Sequence, residues 1–136
     1  MPTINRVLET ALYVDDMARA KDFYERVLGL APMFGDSRLN AYAVGDTVLL
    51  LFARGSSNET THLPDGTIPP HDGSGPVHIA FAISQDELSA WEGRLGDHGV
   101  TIEGRARWPR GGESIYFRDP DNHLLEFATP GLWKNY

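Results

Sequence analysis

The fold is decided by two stretches of sequence, Glu9-Thr10-Ala11-Leu12-Tyr13-Val14 and His78-Ile79-Ala80-Phe81-Ala82-Ile83, which lie 69 positions apart. Alternate residues of each stretch form a mainly apolar face, which is the pattern of a β-strand that buries one side. A helical pattern follows each stretch, and extended segments follow each helical pattern. The same order of elements occurring twice indicates an internal repeat.

The first repeat predicts a strand, a helix and three further strands. The helix is expected to start at Asp15 or Asp16, because a carboxylate there accepts the free N–H groups of the first turn, and to end at Gly29. An extended segment after the helix supplies the second strand of this order. The third and fourth strands are predicted over 39–44 and 47–53, joined by a tight Gly-Asp turn.

The second repeat predicts the same order, starting with a strand over 77–83. Ser84 and Glu87 have the spacing of a capping box, and the helix after them is expected to end at Gly99. Extended segments follow, and the last strand aligns Leu124–Ala128 with Leu49–Ala53 at an offset of 75. This alignment pairs Leu51 with Glu126.

The chain of 136 residues is 41% hydrophobic, which suits a single α+β domain over 1–136. Two βαβββ modules are predicted, the first over about 4–54 and the second over about 77–130. Residues 55–76 lie between them and are rich in Gly, Ser, Thr and Pro with little periodicity. They are expected to form a long loop, and a loop of this length is usually functional or mobile.

The composition excludes several classes of function. Lys and Arg number 12 and Asp and Glu 19, giving a net charge of −7, so nucleic acid and membranes are not expected as partners and a small-molecule ligand is. The absence of cysteine excludes disulfides, zinc–thiolate sites and thiol nucleophiles. Because neither a signal peptide nor an apolar run long enough for a bilayer is recognised, a cytoplasmic location is expected.

The strand faces opposite the predicted core carry three ionisable residues, Glu9, His78 and Glu126, with alanines beside them. Small residues leave volume unfilled on a sheet face, as a ligand pocket requires. Glu9 alone is more simply an exposed strand residue, and His78 alone a structural histidine. Glu126 is different, because a carboxylate within Leu-Leu-Glu-Phe-Ala is costly to bury unless it is paired or bound to a metal.

Further polar and aromatic residues are assigned by their position. Ser114, Tyr116 and Arg118 share a strand face, which either lines the cavity or is solvated. Trp108 either lines a pocket or covers an edge. The remaining histidines and Trp91 are given structural roles: His62, His71 and His123 are expected to be exposed, His98 to lie at a helix end and Trp91 in the core.

These residues resemble the vicinal oxygen chelate superfamily, which contains glyoxalase I, fosfomycin-resistance proteins, bleomycin-resistance proteins and extradiol dioxygenases. The resemblance covers nearly the whole chain. It rests on three segments in the expected order: 12–17 running into Phe23-Tyr24-Glu25-Arg26-Val27-Leu28-Gly29-Leu30, Val77-His78-Ile79-Ala80-Phe81, and the ending Tyr116-Phe117-Arg118-Asp119-Pro120-Asp121-Asn122-His123-Leu124-Leu125-Glu126.

The resemblance implies two modules whose sheets curl around a central cavity, and a homodimer. It places Glu9, His78 and Glu126 on three metal-ligand positions and Leu51 on the fourth, where leucine cannot bind a metal. Three-ligand members usually have histidine at the position of Glu9. One histidine with two carboxylates suits Mn²⁺, Fe²⁺, Mg²⁺ or Zn²⁺.

Two functions from different classes follow from the resemblance. The first is a metal-dependent enzyme acting on a small oxygen-bearing substrate, with Glu9, Glu126 and Tyr116 as catalytic candidates and an isomerase, dioxygenase or epoxide-opening reaction left open. Substrate contacts are expected from Ser114, Tyr116, Arg118 and Trp108. The alternative is a metal-free protein of the bleomycin-resistance kind that sequesters a cationic antibiotic through aromatic side chains. A third possibility is that Glu9 and Glu126 only form a structural network with His78 or an arginine.

Overall fold

A computed structural model describes all residues from Met1 to Tyr136, and the chain divides into two compact units. Unit 1 is Met1–Ser74 and unit 2 is Gly75–Tyr136. Each unit contains one four-stranded mixed sheet and one helical segment, so the predicted α+β class and the strand–helix–strand–strand–strand order are confirmed. No helix in the chain has the length and apolar character needed to cross a bilayer.

Unit 1 begins with strand β1 (Glu9–Val14) and helix α1 (Met17–Asp22), which continues as a π-helical turn (Phe23–Val27). Asp16 caps α1, since its side chain accepts from the Arg19 N–H at 3.1 Å. Gly29 follows with φ +71°, the left-handed conformation expected at a helix end. The strands β2 (Ala31–Gly35), β3 (Leu39–Val44) and β4 (Thr47–Ala53) complete the sheet in the order β1-β4-β3-β2.

Unit 2 repeats this order with strand β7 (His78–Ala82), helix α2 (Leu88–Asp97) and three strands. The strands are β8 (Gly104–Arg107), β9 (Glu113–Arg118) and β10 (Leu124–Ala128), and the sheet order is β7-β10-β9-β8. In both units the first and last strands of the repeat pair in parallel, which brings the two ends of each repeat together.

The core of each unit lies between its helix and one face of its sheet. In unit 1 the buried face includes Leu12, Val14 and Leu51, and α1 packs against β4. In unit 2 the ring of Trp91 on α2 lies 4.6 Å from the ring of Phe127 on β10. The predicted division of the strands into a core face and an opposite face is therefore confirmed in both units.

The strand register corrects the predicted alignment of the two repeats by one residue. Glu126 pairs with Ala80 on β7, and Leu50 pairs with Ala11 on β1, the residue that corresponds to Ala80. Leu50, and not Leu51, therefore occupies the position of Glu126. Leu51 is fully buried on the core face. A one-residue shift moves every side chain of a strand to the opposite face. The sequence alignment compared residue identities in two leucine-rich segments, which do not reveal such a shift.

Segment 54–76 is not the featureless loop that its composition predicts. It contains a small antiparallel hairpin formed by β5 (Thr61–Leu63) and β6 (Gly66–Ile68). His71 in this segment is half-buried: its ring lies 4.6 Å from the Phe52 ring and its Nδ1 is 2.6 Å from the Tyr13 hydroxyl. The prediction that His71 is exposed is therefore wrong, because an aromatic contact holds it against the sheet.

Two local predictions in unit 2 are also wrong. Ser84 makes no side-chain cap, because a 3-10 turn (Gln85–Glu87) precedes α2 and the Glu87 N–H donates to the Ser84 carbonyl at 3.1 Å. His123 is 1% exposed, not solvated. The ring Nδ1 of His123 accepts the backbone N–H of Val77 at 3.1 Å. The backbone N–H of His123 donates to the Asp119 Oδ1 at 2.8 Å. The histidine therefore joins the start of β7 to the turn before β10.

Candidate metal centre

His78 and Glu126 come together on the sheet of unit 2. Their strands β7 and β10 are parallel neighbours, and His78 pairs with Leu124, so Glu126 lies two residues further along on the same face. The His78 Nε2 is 3.2 Å from the Glu126 Oε1. The Glu126 residue is only 4% exposed, whereas His78 is open to solvent. The strand pairing thus places a nitrogen and a buried oxygen donor side by side.

The hydrogen bond at the Nδ1 of His78 determines whether the Nε2 of the neutral ring carries a proton or a lone pair. The Nδ1 is 2.8 Å from the Leu124 carbonyl oxygen, which can only accept, so the Nδ1–H donates to it. In the neutral ring the Nε2 lone pair then points at the Glu126 carboxylate. Two lone pairs at this separation need a positive centre. Either a proton, giving an imidazolium–carboxylate ion pair, or a divalent cation satisfies them.

A chain of hydrogen bonds fixes the second oxygen of Glu126. The Ser114 hydroxyl donates to the Glu126 Oε2 at 2.5 Å, and the Trp108 Nε1–H donates to the Ser114 oxygen at 2.8 Å. A short bond to an ionised acceptor is among the stronger hydrogen bonds in proteins. The carboxylate is therefore oriented, and its Oε1 remains directed at His78. A histidine that binds a metal typically donates its other ring N–H to a carbonyl or carboxylate, and a metal-binding carboxylate is itself hydrogen-bonded, as in this pair.

Tyr116 lies on the same face and pairs directly with Glu126 across β9 and β10. Its ring centre is 6.3 Å from that of His78. Burial, and then the negative charge of Glu126, raise the pKa of the Tyr116 hydroxyl above its usual range. The phenol therefore stays protonated at neutral pH and serves as a hydrogen-bond donor beside the pair.

Arg118 shares this strand face, but its guanidinium is engaged elsewhere. The Nε donates to both Glu103 carboxylate oxygens at 3.3 Å, and the Nη1 donates to the Asn122 carbonyl at 3.2 Å. Ser114, Tyr116 and Trp108 thus lie around Glu126, and Arg118 is held at the end of β9 by Glu103 and Asn122.

Glu9 lies in unit 1, at the position on β1 that corresponds to His78 on β7, and it is exposed. No group of three or more His, Asp and Glu side chains in the chain is arranged to hold a metal ion. The structure therefore brings together two of the three predicted ligands, and the role of Glu9 as the third stays a prediction.

The donor chemistry of the assembled pair fits a divalent ion. The imidazole has its Nδ1 fixed by a carbonyl, and the carboxylate has its Oε2 fixed by a hydroxyl, so the Nε2 and the Oε1 are the donor atoms that face each other. Imidazole with carboxylate suits Mn²⁺, Fe²⁺ or Zn²⁺. Two protein ligands leave several coordination positions open for a further ligand and for substrate.

Unit 1 has a cavity beside Glu9 and Ala11, on the sheet face where the sequence predicted unfilled volume, but two of its lining residues were not singled out from the sequence. The cavity of about 460 Å³ lies on the face of the sheet that is opposite the core. Arg38 and His71 line it together with residues of β1, β4 and the hairpin. Arg38 precedes a strand without any motif, and His71 lies in a segment without periodicity, so neither carried a sequence signal. The available signal was the period-two spacing of Leu50 and Phe52, which places both side chains on one face of β4.

Comparison with known proteins identifies the family. The Glyoxalase/Bleomycin resistance protein/Dioxygenase superfamily profile matches residues 4–127. The chain therefore belongs to this superfamily, and the resemblance inferred from its motifs is confirmed.

Three similar proteins illustrate the relationship. The metallothiol transferase FosB of Shouchella clausii (strain KSM-K16) is 33% identical over 131 residues, which cover 95% of this chain and 83% of that protein. The crystal structure of a lactoylglutathione lyase from Agrobacterium tumefaciens is 31% identical with a TM-score of 0.88, covering 98% of this chain and 99% of that one. The fosfomycin resistance protein FosX from Mesorhizobium loti is 25% identical with a TM-score of 0.66, covering 93% of each chain. The first two names are those of enzymes, which supports the expectation of an enzyme.

Proposed function

We propose that this protein is a divalent-metal-dependent enzyme acting on a small oxygen-bearing substrate. The observation that carries the proposal is the His78–Glu126 pair, whose Nε2 and Oε1 face each other at 3.2 Å while the other donor atom of each side chain is already bonded. His78 and Glu126 would hold the ion, with Glu9 as a third ligand. A bound ion supplies a Lewis acid that polarises substrate oxygens.

The residues around the pair have separate tasks in this proposal. Ser114 and Trp108 hold the Glu126 carboxylate in one orientation. Tyr116 keeps its proton and donates a hydrogen bond to a substrate oxygen, since burial and the Glu126 charge raise its pKa. We assign to Glu9, whose side chain is exposed, the role of giving up its ligand position and accepting a proton from the substrate.

Thiol chemistry is the reaction class that the similar proteins favour. One is named a metallothiol transferase and another a lactoylglutathione lyase. The chain contains no cysteine. A thiol that takes part in the reaction must therefore belong to a substrate or co-substrate, and we propose a low-molecular-weight thiol or its adduct in that role.

We propose that the protein works as a homodimer. Unit 1 exposes the large apolar side chains of Val7, Leu8, Met33 and Phe34, each more than half accessible. Exposed apolar residues in such number favour burial against a second copy. Light scattering of the purified protein tests this proposal, because a homodimer has twice the mass of the 15.1 kDa chain.

Metal content tests the proposed function. We expect about one ion per chain after refilling with Mn²⁺, Fe²⁺, Zn²⁺ or Mg²⁺, measured by elemental analysis after removal of free metal. Glu126→Gln and His78→Ala should each lose most of the bound ion, because each removes one of two adjacent donor atoms. The matched controls are Glu103→Gln, whose carboxylate pairs with Arg118, and His62→Ala, which is exposed on β5.

Two results would contradict the proposal. Equal metal content in Glu126→Gln and Glu103→Gln would place any bound ion outside the pair. No bound ion in the unsubstituted protein under any condition would leave a proton between His78 and Glu126 and a structural ion pair. Tight binding of a basic aromatic drug by that metal-free protein would then support the sequestration alternative.

A further inference from the structure

We propose that unit 1 contains a binding pocket for an organic anion with an apolar body, in which Arg38 binds the anionic group. The pocket is formed by residues of unit 1 alone. Glu9, the proposed third metal ligand, also lines this pocket, so a role of the bound anion as substrate rests on the proposed function. Binding of the anion at Arg38 itself is expected with or without a metal ion.

The walls of the pocket are mainly apolar. Its volume is about 460 Å³, within the range of small-ligand sites. The side chains of Leu39, Leu50, Phe52 and Ile68 line it, and Ala11 adds little bulk at its floor. A ligand that fills this space gains most of its affinity from apolar contact.

The strand register explains why this surface is apolar. Glu126 and Tyr116 are cross-strand partners in unit 2, and the corresponding partners in unit 1 are Leu50 and Ala41. The polar pair of one repeat is thus replaced by a leucine and an alanine in the other. The two sheets have the same topology, but their faces have different chemistry.

Arg38 is the cation of the pocket. It lines the cavity, and its Nε is buried without a hydrogen-bond partner. A buried donor left without a partner is costly, and such groups are rare in folded proteins. A carboxylate satisfies a guanidinium edge with two parallel hydrogen bonds, which makes it the ligand group that best completes the site.

One oxygen of the nearby Asp36 carboxylate already accepts two hydrogen bonds. Its Oδ1 accepts the backbone N–H groups of Arg38 and Leu39 at 2.8 Å and 2.9 Å. These two bonds lower the pKa of Asp36, with a smaller contribution from the charge of Arg38. Asp36 therefore orients the backbone that leads into β3.

The other charged residue of the pocket lies at its far end. Along β4, Glu9 lies beside Val48, and Arg38 lies beside Ala53, whose N–H donates to the Arg38 carbonyl. At about 3.3 Å per strand residue, these two positions on β4 are about 16 Å apart along the sheet. The backbones of Glu9 and Arg38 therefore lie toward opposite ends of the strands, and the apolar stretch between them accommodates the body of the ligand.

Aromatic contacts hold one wall of the pocket in place. The His71 ring packs edge-on against Phe52, and its Nδ1 meets the Tyr13 hydroxyl at 2.6 Å. The Ser57 hydroxyl donates to the His71 carbonyl at 2.7 Å. A wall fixed in this way is formed before a ligand arrives, which lowers the entropic cost of binding.

Binding of three matched probes to the ¹⁵N-labelled full chain tests the proposal. The probes are 4-methylbenzoate, the neutral 4-methylbenzamide and the cationic 4-methylbenzylamine, followed by amide chemical shifts at Leu39, Leu50 and Ile68. We expect the benzoate to bind most tightly. Arg38→Gln should weaken benzoate binding by about tenfold or more and leave benzamide binding unchanged. Ile68→Ser, at a residue that is 41% exposed, should weaken both.

The control variant is Arg6→Gln, which removes a guanidinium of unit 1 that pairs with Asp46 outside the pocket. It should leave all three affinities unchanged. Equal weakening of benzoate binding by Arg6→Gln and Arg38→Gln would reduce the effect to net charge and overturn the assignment. Preference for the benzylamine, or no shift with millimolar benzoate, would also overturn it. A failed metal test with preserved benzoate binding would contradict only the proposed enzyme function.

Discussion

Ser114 is the residue on which the orientation of the Glu126 carboxylate depends. We predict that Ser114→Ala weakens metal binding by about tenfold, since loss of a partner that orients a ligand typically costs ten- to a hundredfold in affinity. The 2.5 Å bond from its hydroxyl is removed, and the Trp108 Nε1–H loses its acceptor. Titration against a chelator of known affinity measures the change.

Ser89→Ala is the matched control, because Ser89 is an exposed residue on α2. It should bind metal as the unsubstituted protein does. If Ser114→Ala folds and binds metal with unchanged affinity, Ser114 does not position Glu126.

Individual residues were predictable where strand alternation decided them. Period-two spacing assigned Ser114 and Tyr116 to one face of their strand, which was expected either to line the cavity or to be solvated. The register places that face beside Glu126. His123 was wrongly expected to be exposed, because a histidine beside a turn gives no sign that its ring will accept a distant backbone N–H. Arg38 had no signal, since its role depends on a cavity formed by residues distant in sequence.

Glycine packing controls how the turn after β8 meets the last residues of the chain. A Cβ added at Gly112 would lie 2.7 Å from the Gly131 carbonyl carbon and 2.8 Å from the Leu132 nitrogen. These are backbone atoms that cannot rotate away. We predict that Gly112→Ala lowers the free energy of unfolding by about 1–3 kcal/mol, the usual cost of overpacking, as measured by urea denaturation.

Gly93 provides the opposite case within the same unit. It is exposed on α2, and a Cβ there would meet nothing within 4 Å. Gly93→Ala should raise the free energy of unfolding by about 0.5–1 kcal/mol, because alanine loses less backbone entropy in a helix. Equal effects of the two substitutions would show that the close approach at Gly112 does not limit packing.

The elements were predicted best where a tight turn fixed their ends. The bounds of β3 and β4 agree with prediction to the residue, because the Gly-Asp turn leaves only one register for the hairpin. The π-helical turn after α1 was missed, since residues that recur every three or four positions fit an α-helix equally well. The hairpin of β5 and β6 was missed because its residues are mostly exposed and leave no apolar pattern.

The two-module organisation was predictable at the scale of the molecule, but the assignment of the connecting segment was not. Unit 1 extends to Ser74 and so includes nearly all of segment 54–76. Polar contacts hold that segment: Arg54 pairs with Asp15 at 2.7 Å and donates to the Gly73 carbonyl at 2.8 Å. Such contacts join residues far apart in sequence, so neither periodicity nor composition reveals them.

Metal binding should raise the thermal stability of the whole chain, if the pair in unit 2 holds an ion in the folded state only. An ion at a hundred times its dissociation constant stabilises the folded state by about 2.7 kcal/mol. For a chain of 136 residues this corresponds to a rise in Tm of roughly 10 °C, measured by scanning calorimetry with and without metal.

The net charge of −7 determines which control this measurement needs, because an acidic surface attracts divalent cations without a specific site. Glu126→Gln and Glu103→Gln remove the same charge, so weak surface binding changes equally in both. Glu103→Gln should retain the rise in Tm and Glu126→Gln should lose it, since only Glu126 faces the His78 nitrogen. A rise retained in both variants would assign the stabilisation to the acidic surface and not to the His78–Glu126 pair.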